Sequence, residues 1–514
     1  MPFARRYGAD SAATAAPRRT ARLLGLTPSR AGESLVDPAP AVAPIPSMNS
    51  VAAGPLLLLA PEDLGRELAL ASLLPFALLL LGIALLPLVA NRWWEHNRNK
   101  ALFAGLLALP VVLYLLAGGG EAGAHELAHK AMEYTSFIVL LGALFVITGG
   151  VYVGGSLAGT PLANTAALAL GAGLANLVGT TGASVLLIRP FLRANAARQR
   201  KTHLVVFFIF VVSNCGGLLT PLGDPPLFLG YLKGVPFGWT LQLWKEWLLV
   251  NGSLLVLFNL VDQRVFGAEE RARLGSQLEE VMRHEPLRID GLFNVVYLLG
   301  IVAAITCAGA GVGTGGEPWP FGLQEGAMAA LAAASWFTTP RTNHRRNRFS
   351  WTPMIEVAVL FAGIFVTMTP ALLILNAWGQ GQREVLGMTF DLRHPAQFFW
   401  GSGALSSFLD NAPTYLTFAS TACGLERVPL EGRYLAELLA RAENGGIGAR
   451  LLTAISCGSV FMGANTYIGN GPNFMVKAIA EESGVEMPSF FGYMLYSGAI
   501  LVPLFVVVTL VFFA

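Results

Sequence analysis

Two acids lie at breaks in otherwise apolar sequence. Asp224 sits in "TPLGDPPLFLG" (220–230), and Asp410 in "SSFLDNAPTYLTF" (406–418). A carboxylate at the centre of a bilayer costs about 2.5–3.5 kcal/mol even on lenient insertion scales, so a chain that keeps one there uses it. Beside Asp224 the first break carries Ser213, Asn214 and Thr220. A second break, "TYIGNGPNFM" (466–475), carries Thr466, Asn470 and Asn473, with Asn465 just before it. Two further apolar segments are interrupted by "GTTG" (179–182), which supplies Thr180 and Thr181, and by "DNAP" (410–413), with Asn411 and Thr414 beside Asp410. Carboxylate, amide and hydroxyl oxygens are hard ligands suited to an alkali cation. A carboxyl group whose pKa is raised by burial can exchange such a cation for a proton. The competing structural readings are a helix N-cap for Asp224, which precedes two prolines, and an Asx turn for Asp410.

Three other charged features need weighing. Glu133 and Glu356 lie near helix ends and read as interfacial acids, Glu356 paired with the arginines of 345–348, or as members of a proton path. "HELAH" (125–129) matches a pattern that binds zinc on a helix, and "RIDGL" (288–292) offers Asp290 as a distant partner. However, HELAH reads as a polar connection before a helix, and Asp290 falls on the opposite side of the membrane. A zinc protease is therefore a remote alternative, and neither an enzyme, a structural metal nor a cofactor is expected.

The elements that position these residues follow from composition. Of 514 residues, 54% are hydrophobic and 13% charged, against about 25% charged in soluble chains. Several apolar stretches have the length of about 17–25 residues needed to span a bilayer. The chain reads as an all-α polytopic membrane protein, because a barrel would show alternating segments of about ten residues instead. A net charge of +2 without a long basic tract gives no reason to expect a nucleic-acid partner. Cys215, Cys307, Cys423 and Cys457 are scattered and form no CxxC pair, so they read as packing residues. Residues 1–55, rich in Arg, Ala, Thr and Pro, read as a disordered tail, a targeting peptide or an over-extended start ahead of Met48.

Spanning segments are expected near 68–90, 101–117, 134–154, 204–219 with 225–233, 240–262, 291–313, 323–339, 353–377, 447–464 with 471–482, and 489–513. The interrupted segments 161–190 and 396–423 read as re-entrant hairpins. With that assignment the basic loops 91–100, 189–201, 263–290 and 341–348 share one side, as short cytoplasmic loops do, and both ends of the chain lie outside. The order helix, hairpin, broken helix, helix occurs at 134–262 and again, inverted, at 353–513. Thr220 aligns with Thr466, Gly223 with Gly469, Asp224 with Asn470, and Pro226 with Pro472. Inverted repeats with paired broken helices mark secondary transporters whose site lies near the midplane. The remaining segments are 68–133, two N-terminal helices, and 263–352, a cytoplasmic loop with connecting helices.

"SNCGGLLTPLGDPPLFLGYLKGVPF", "SSFLDNAPTYLTF" and "GANTYIGNGPNFMVKAIAEESG" resemble the NhaD-type sodium/proton antiporters of the ion transporter superfamily, which also holds citrate, dicarboxylate and arsenite carriers. The resemblance covers about 68–513. It implies two re-entrant hairpins, a scaffold domain, elevator-type alternating access and a homodimer, with Asp224, Asp410, Asn214 and Thr220 at the ion site. One departure is the first hairpin turn, "GTTG" (179–182), where relatives commonly carry Asp-Asn. The expected activity is exchange of Na⁺ (or Li⁺) for H⁺ in the lipid bilayer of a bacterial cytoplasmic membrane. The alternative is Na⁺- or H⁺-coupled transport of citrate or a dicarboxylate.

Overall fold

The computed structural model describes residues 65–514 except 155–158, 273–287, 316, 383, 386–391 and 444. The stretch 1–55 discussed above lies outside the described residues.

Long runs of Leu, Ile, Val, Ala and Phe leave no local alternative to helix in a hydrocarbon phase, where every backbone group must be satisfied within its own segment. Among the described residues, seven helices are long and apolar enough to cross a membrane. This is an all-α polytopic membrane protein. Helix α1 spans Leu74–Val89 and α2 Asn97–Gly149. α2 is broken at Gly120 (φ 52°) into the spans Asn97–Gly118 and Gly120–Gly149. HELAH thus lies inside the second span, not in a polar connection as expected.

α3 (Pro161–Ala194) is interrupted at Gly179 (φ 79°, ψ 155°), a conformation that favours glycine. Its two halves fold back on each other. Asn164 and Asn195 exchange reciprocal side-chain hydrogen bonds of 2.9 and 2.8 Å, whereas a straight helix would hold them about 46 Å apart. Helices α4 (Thr202–Val211) and α5 (Pro225–Leu232) flank the first break. After α6 (Trp244–Ala272) come α7 (Asn294–Gly309), α8 (Leu323–Thr338), α9 (Arg341–Arg346) and α10 (Thr352–Gly379). α11 (Pro395–Ser406) and α12 (Asn411–Leu425) turn back at 407–410, which brings the rings of Phe398 and Phe418 within 6.2 Å. A short amphipathic helix that no span anticipated, α13 (Tyr434–Glu443), precedes α14 (Gly448–Met462). The second break follows, then α15 (Gly471–Glu482) and α16 (Phe490–Val508).

α2 and α10 pack side by side. Tyr134 Oη donates to the Ala358 carbonyl at 2.8 Å, and Phe137 stacks on Phe361 at 4.7 Å. Phe137 also lies 6.4 Å from Phe228 of α5, so this pair of helices forms a wall against the half-helix that starts at Asp224. Strand β1 (Tyr152–Gly154) pairs antiparallel with β2 (Arg288–Asp290).

The basic loops converge at that end of the molecule. Arg193 reaches the Val153 carbonyl at 2.8 Å, Arg346 pairs with Asp290 at 2.9 Å, and Asn97 donates to the Thr352 carbonyl at 3.3 Å. Nearby, Arg198 is fully buried with Asp262 (2.7 Å) and Glu269 (3.0 Å). Asp262 also accepts from Asn164 at 2.9 Å, which clamps the open end of α3 to α6.

Candidate functional site

The two breaks share one local geometry. After α4 the chain makes a tight helical turn, Cys215–Leu218, and after α14 the corresponding turn is Gly463–Asn465. Thr220 Oγ1 donates to the Asn176 carbonyl of α3 at 2.5 Å. Its counterpart, Thr466 Oγ1, donates to the Ser407 carbonyl at the end of α11. Each pins its break to the turn of a folded-back pair of helices. The glycines are required by close approach. A Cβ on Gly469 would lie 2.6 Å from the Gly463 oxygen, and one on Gly223 would collide with the Gly217 oxygen.

Asp224 and Asn470 then take the same backbone conformation, φ −144°, ψ 144° and φ −153°, ψ 139°. Each is the N-cap residue of its half-helix, and neither side chain makes a capping bond. The simple cap reading of Asp224 therefore fails. Its carboxylate instead collects donors from three other elements. Thr180 Oγ1 donates to Oδ1 at 2.7 Å, Asn470 Nδ2 donates to Oδ1 at 3.2 Å, and Asn411 Nδ2 donates to Oδ2. Asp224 is only 1% exposed, and Thr180, Asn411 and Asn470 are buried with it. A buried carboxylate without such donors would carry a cost of several kcal/mol.

The surrounding polar side chains form a continuous network. Asn470 Nδ2 also reaches the Ser213 carbonyl and Asn214 Oδ1, both at 3.2 Å. Asn214 Nδ2 donates to Asn473 Oδ1 at 2.7 Å, and Asn473 Nδ2 donates to the Gly463 and Thr466 carbonyls. Ser213 Oγ lies 2.8 Å from Ser184 Oγ, and Asn465 donates to Ser407 Oγ at 2.9 Å. Two acceptors in this region, Asn411 Oδ1 and Asn465 Oδ1, are buried without a hydrogen-bond partner. Unsatisfied buried oxygens are rare in folded chains, and these are of the kind that ligates a hard cation.

Asp410 behaves differently. Its Oδ1 accepts from the Ala412 amide at 3.1 Å as N-cap of α12, and its carbonyl accepts from Thr414. It lies one residue from Asn411, but its carboxylate serves the turn, as the Asx reading has it. Thr181 is half-buried and lines a cavity of about 90 Å³ with Asp224, Thr180, Gly223 and Phe228, walled by Leu144 of α2 and Met354 of α10. That volume has room for about three waters at ~30 Å³ each.

The remaining candidates lie elsewhere. Glu356 pairs with Lys100 at 2.7 Å rather than with an arginine of 345–348, because α2 and α10 run side by side there. Glu133 is buried rather than interfacial, and is held by His129, Lys130 and Lys233. In the HELAH stretch, His129 is committed to Glu133 at 2.8 Å and Glu126 to Lys130 at 3.6 Å. Asp290 pairs with Tyr152 beyond the far end of α2, about 30 Å of helix from His129, so no site joins them. The sequence reading missed Asn176, Ser184 and Ser407. Asn176 and Ser184 fall in Ala- and Gly-rich runs with no motif to flag them, whereas Ser407 lies within the quoted stretch 406–418 but was passed over for the Asp-Asn beside it.

Residues 65–513 match the family model described as "Putative citrate transport". No curated protein matches the chain.

Proposed function

The chain belongs to the "Putative citrate transport" family and is a membrane secondary transporter; we propose that it exchanges Na⁺ or Li⁺ for H⁺ at Asp224. One observation carries this reading. Asp224 spends its carboxylate on Thr180, Asn411 and Asn470 rather than on its own helix, beside an unpartnered amide oxygen of Asn411. A cation seated there takes Asp224, Thr180 Oγ1 and Asn411 Oδ1 as ligands. A proton on Asp224 removes the charge that holds the cation, so the two occupants exclude each other. The small adjoining cavity suits a dehydrated ion rather than a molecule the size of citrate, since ligand pockets run to about 300–1,000 Å³.

In this reading 134–262 and 353–513 are inverted copies, α3 and α11–α12 are re-entrant hairpins, and the half-helix termini meet at mid-depth. The hairpins and half-helices move past the wall of α2 and α10 in an elevator-type step, within a homodimer. The membrane is a bacterial cytoplasmic one. Proteoliposomes loaded with a pH dye test the exchange: an imposed Na⁺ or Li⁺ gradient drives proton movement in the opposite direction.

A second reading, cation-coupled citrate or dicarboxylate transport, is favoured by the family description and by a separate cavity of about 500 Å³. Arg66, Arg427, His125 and His129 line it as donors fit for a carboxylate, together with the acids Glu126 and Glu431. Citrate uptake that depends on a Na⁺ or H⁺ gradient would select this reading.

A further inference from the structure

An apolar cavity of about 300 Å³ lies between α3, α7 and the strand pair. The first arm of α3 lines it with Ala163, Ala167, Leu170, Leu174 and Val178, which are spaced by three or four and so share one helix face. That face is about 22 Å long, against about 15 Å of hydrocarbon in one leaflet. The cavity reaches inward to Val178 and Phe208, both buried, while Leu170 and Leu292 on its outer side are exposed. Its only polar lining side chains are Thr148 and Asn164. Both are already bonded, Thr148 to the Leu144 carbonyl and Asn164 to Asn195 and Asp262. The slot therefore offers contacts to hydrocarbon alone, and it opens toward the bilayer.

Charge gathers at its rim. Val153 and Ile289 are partners in the strand register and line the cavity, whereas their neighbours Tyr152, Arg288 and Asp290 fall on the other face of the strand pair. Two guanidiniums lie over the Tyr152 ring, Arg193 of α3 at 5.9 Å and Arg346 of α9 at 5.3 Å from its centroid. Arg193 donates to the Val153 carbonyl at 2.8 Å, and Ala194 beside it lines the cavity, so this charge sits at the mouth of the slot. Asp290 is shared by Arg346 at 2.9 Å and Arg288 at 2.8 Å. One turn before Arg193, Arg189 lies 3.5 Å from Glu482, which also pairs with Arg348. These five arginines share two carboxylates, and Arg193 has no acid partner among the described residues.

We propose that the cavity holds one acyl chain of an anionic phospholipid whose phosphate is bound by Arg193 and Arg346. Basic pockets between membrane helices suit anionic headgroups, and a guanidinium matches the oxygens of a phosphate. A free phosphate would leave the slot empty, and a zwitterionic lipid would bring its own cation to the arginines. The seated lipid joins α3 to α7 and the strand pair. The site stands whichever solute the chain carries.

Native mass spectrometry of the purified protein with phosphatidylglycerol or phosphatidylcholine tests it. Wild type retains one phosphatidylglycerol in preference to phosphatidylcholine. The double variant Arg193→Gln/Arg346→Gln loses that preference by roughly tenfold or more, the size expected for two basic groups at an anionic headgroup. Arg288→Gln removes a charge from the same rim but leaves the Tyr152 pair, and stays within about twofold of wild type, as an exposed ion pair contributes little. Ala167→Trp fills the slot and lowers phosphatidylglycerol retention with every arginine in place. Phosphatidylglycerol also raises the unfolding temperature of wild type more than that of the double variant or Ala167→Trp. Glycerol phosphate, which has the headgroup charge without the chains, does not displace the lipid. Equal retention of the two lipids by wild type, or a wild-type preference in the double variant, overturns the proposal. So does a loss in Arg288→Gln as large as in the pair, which would mean general surface charge, or displacement by glycerol phosphate, which would mean a site for soluble phosphate. If Ala167→Trp does not fold, Ala167→Leu is read in its place, and unchanged retention there overturns the slot.

Discussion

Asn470 Nδ2 lies 3.2 Å from Asp224 Oδ1, so the two residues that occupy the same place in the two helix breaks are bonded to each other. One carries a charge and the other does not. The paired breaks thus meet asymmetrically, with the Asp224 carboxylate on one side, the Asn470 amide on the other, and further amides and hydroxyls around them.

Asp224→Asn keeps the size of the side chain and removes the charge. In the proposed site it takes away the one charged ligand named for the cation, so cation binding weakens by roughly 10-fold or more, which is about 1.4 kcal/mol or more. Isothermal titration with Na⁺ and Li⁺ on purified protein reads this directly. Equal affinity in variant and wild type would remove Asp224 from the site.

Asn470→Asp places a second carboxylate beside the first. Like charges at this separation raise the apparent pKa of the pair. The cation binds only after deprotonation, so the pH at which exchange reaches half its maximum moves upward, by a unit or more. An unchanged pH profile would show that residue 470 does not face the titrating group.

Asp410 separates a ligand from a cap. Asn caps helices about as well as Asp, so Asp410→Asn retains most exchange activity and thermal stability, while Asp410→Ala lowers stability by about 0.5–2 kcal/mol. Complete loss of cation binding in Asp410→Asn with an intact fold would make Asp410 a second ion ligand.

How much of this was legible from sequence depends on where the signal lies. The break pair was readable because Thr220, Gly223, Asp224 and Pro226 reappear in order as Thr466, Gly469, Asn470 and Pro472, and the backbone geometry requires those types. The different hydrogen bonding of Asp224 and Asp410 was not readable, because both precede a helix start and only the side-chain direction separates a carboxylate that caps its own helix from one that bonds to other elements. Glu133 and Lys233 are 100 residues apart, and a lysine at the end of an apolar helix ordinarily snorkels to the interface. Glu356 was matched to the arginine-rich loop beside it in sequence, while Lys100 on the neighbouring helix holds it. The helix α13 was missed because it buries Tyr434, Leu435 and Leu438 over only ten residues, too short to stand out in a chain this hydrophobic.

The clamp at the open end of α3 carries a separate prediction. Arg198 and Asp262 are fully buried and paired at 2.7 Å. Removing one partner of such a pair costs about 3–5 kcal/mol, so Arg198→Ala lowers the unfolding temperature in detergent markedly. A stable Arg198→Ala protein would mean that Glu269 and Asn164 hold the hairpin without it.

The most direct measurement is proton flux in proteoliposomes of wild type and Asp224→Asn under imposed Na⁺, Li⁺, K⁺ and citrate gradients. The account predicts opposing proton movement driven by Na⁺ or Li⁺ in wild type and its loss in Asp224→Asn. Wild-type vesicles that move citrate but show no cation-driven proton flux would contradict it, as would an Asp224→Asn protein that exchanges as fast as wild type.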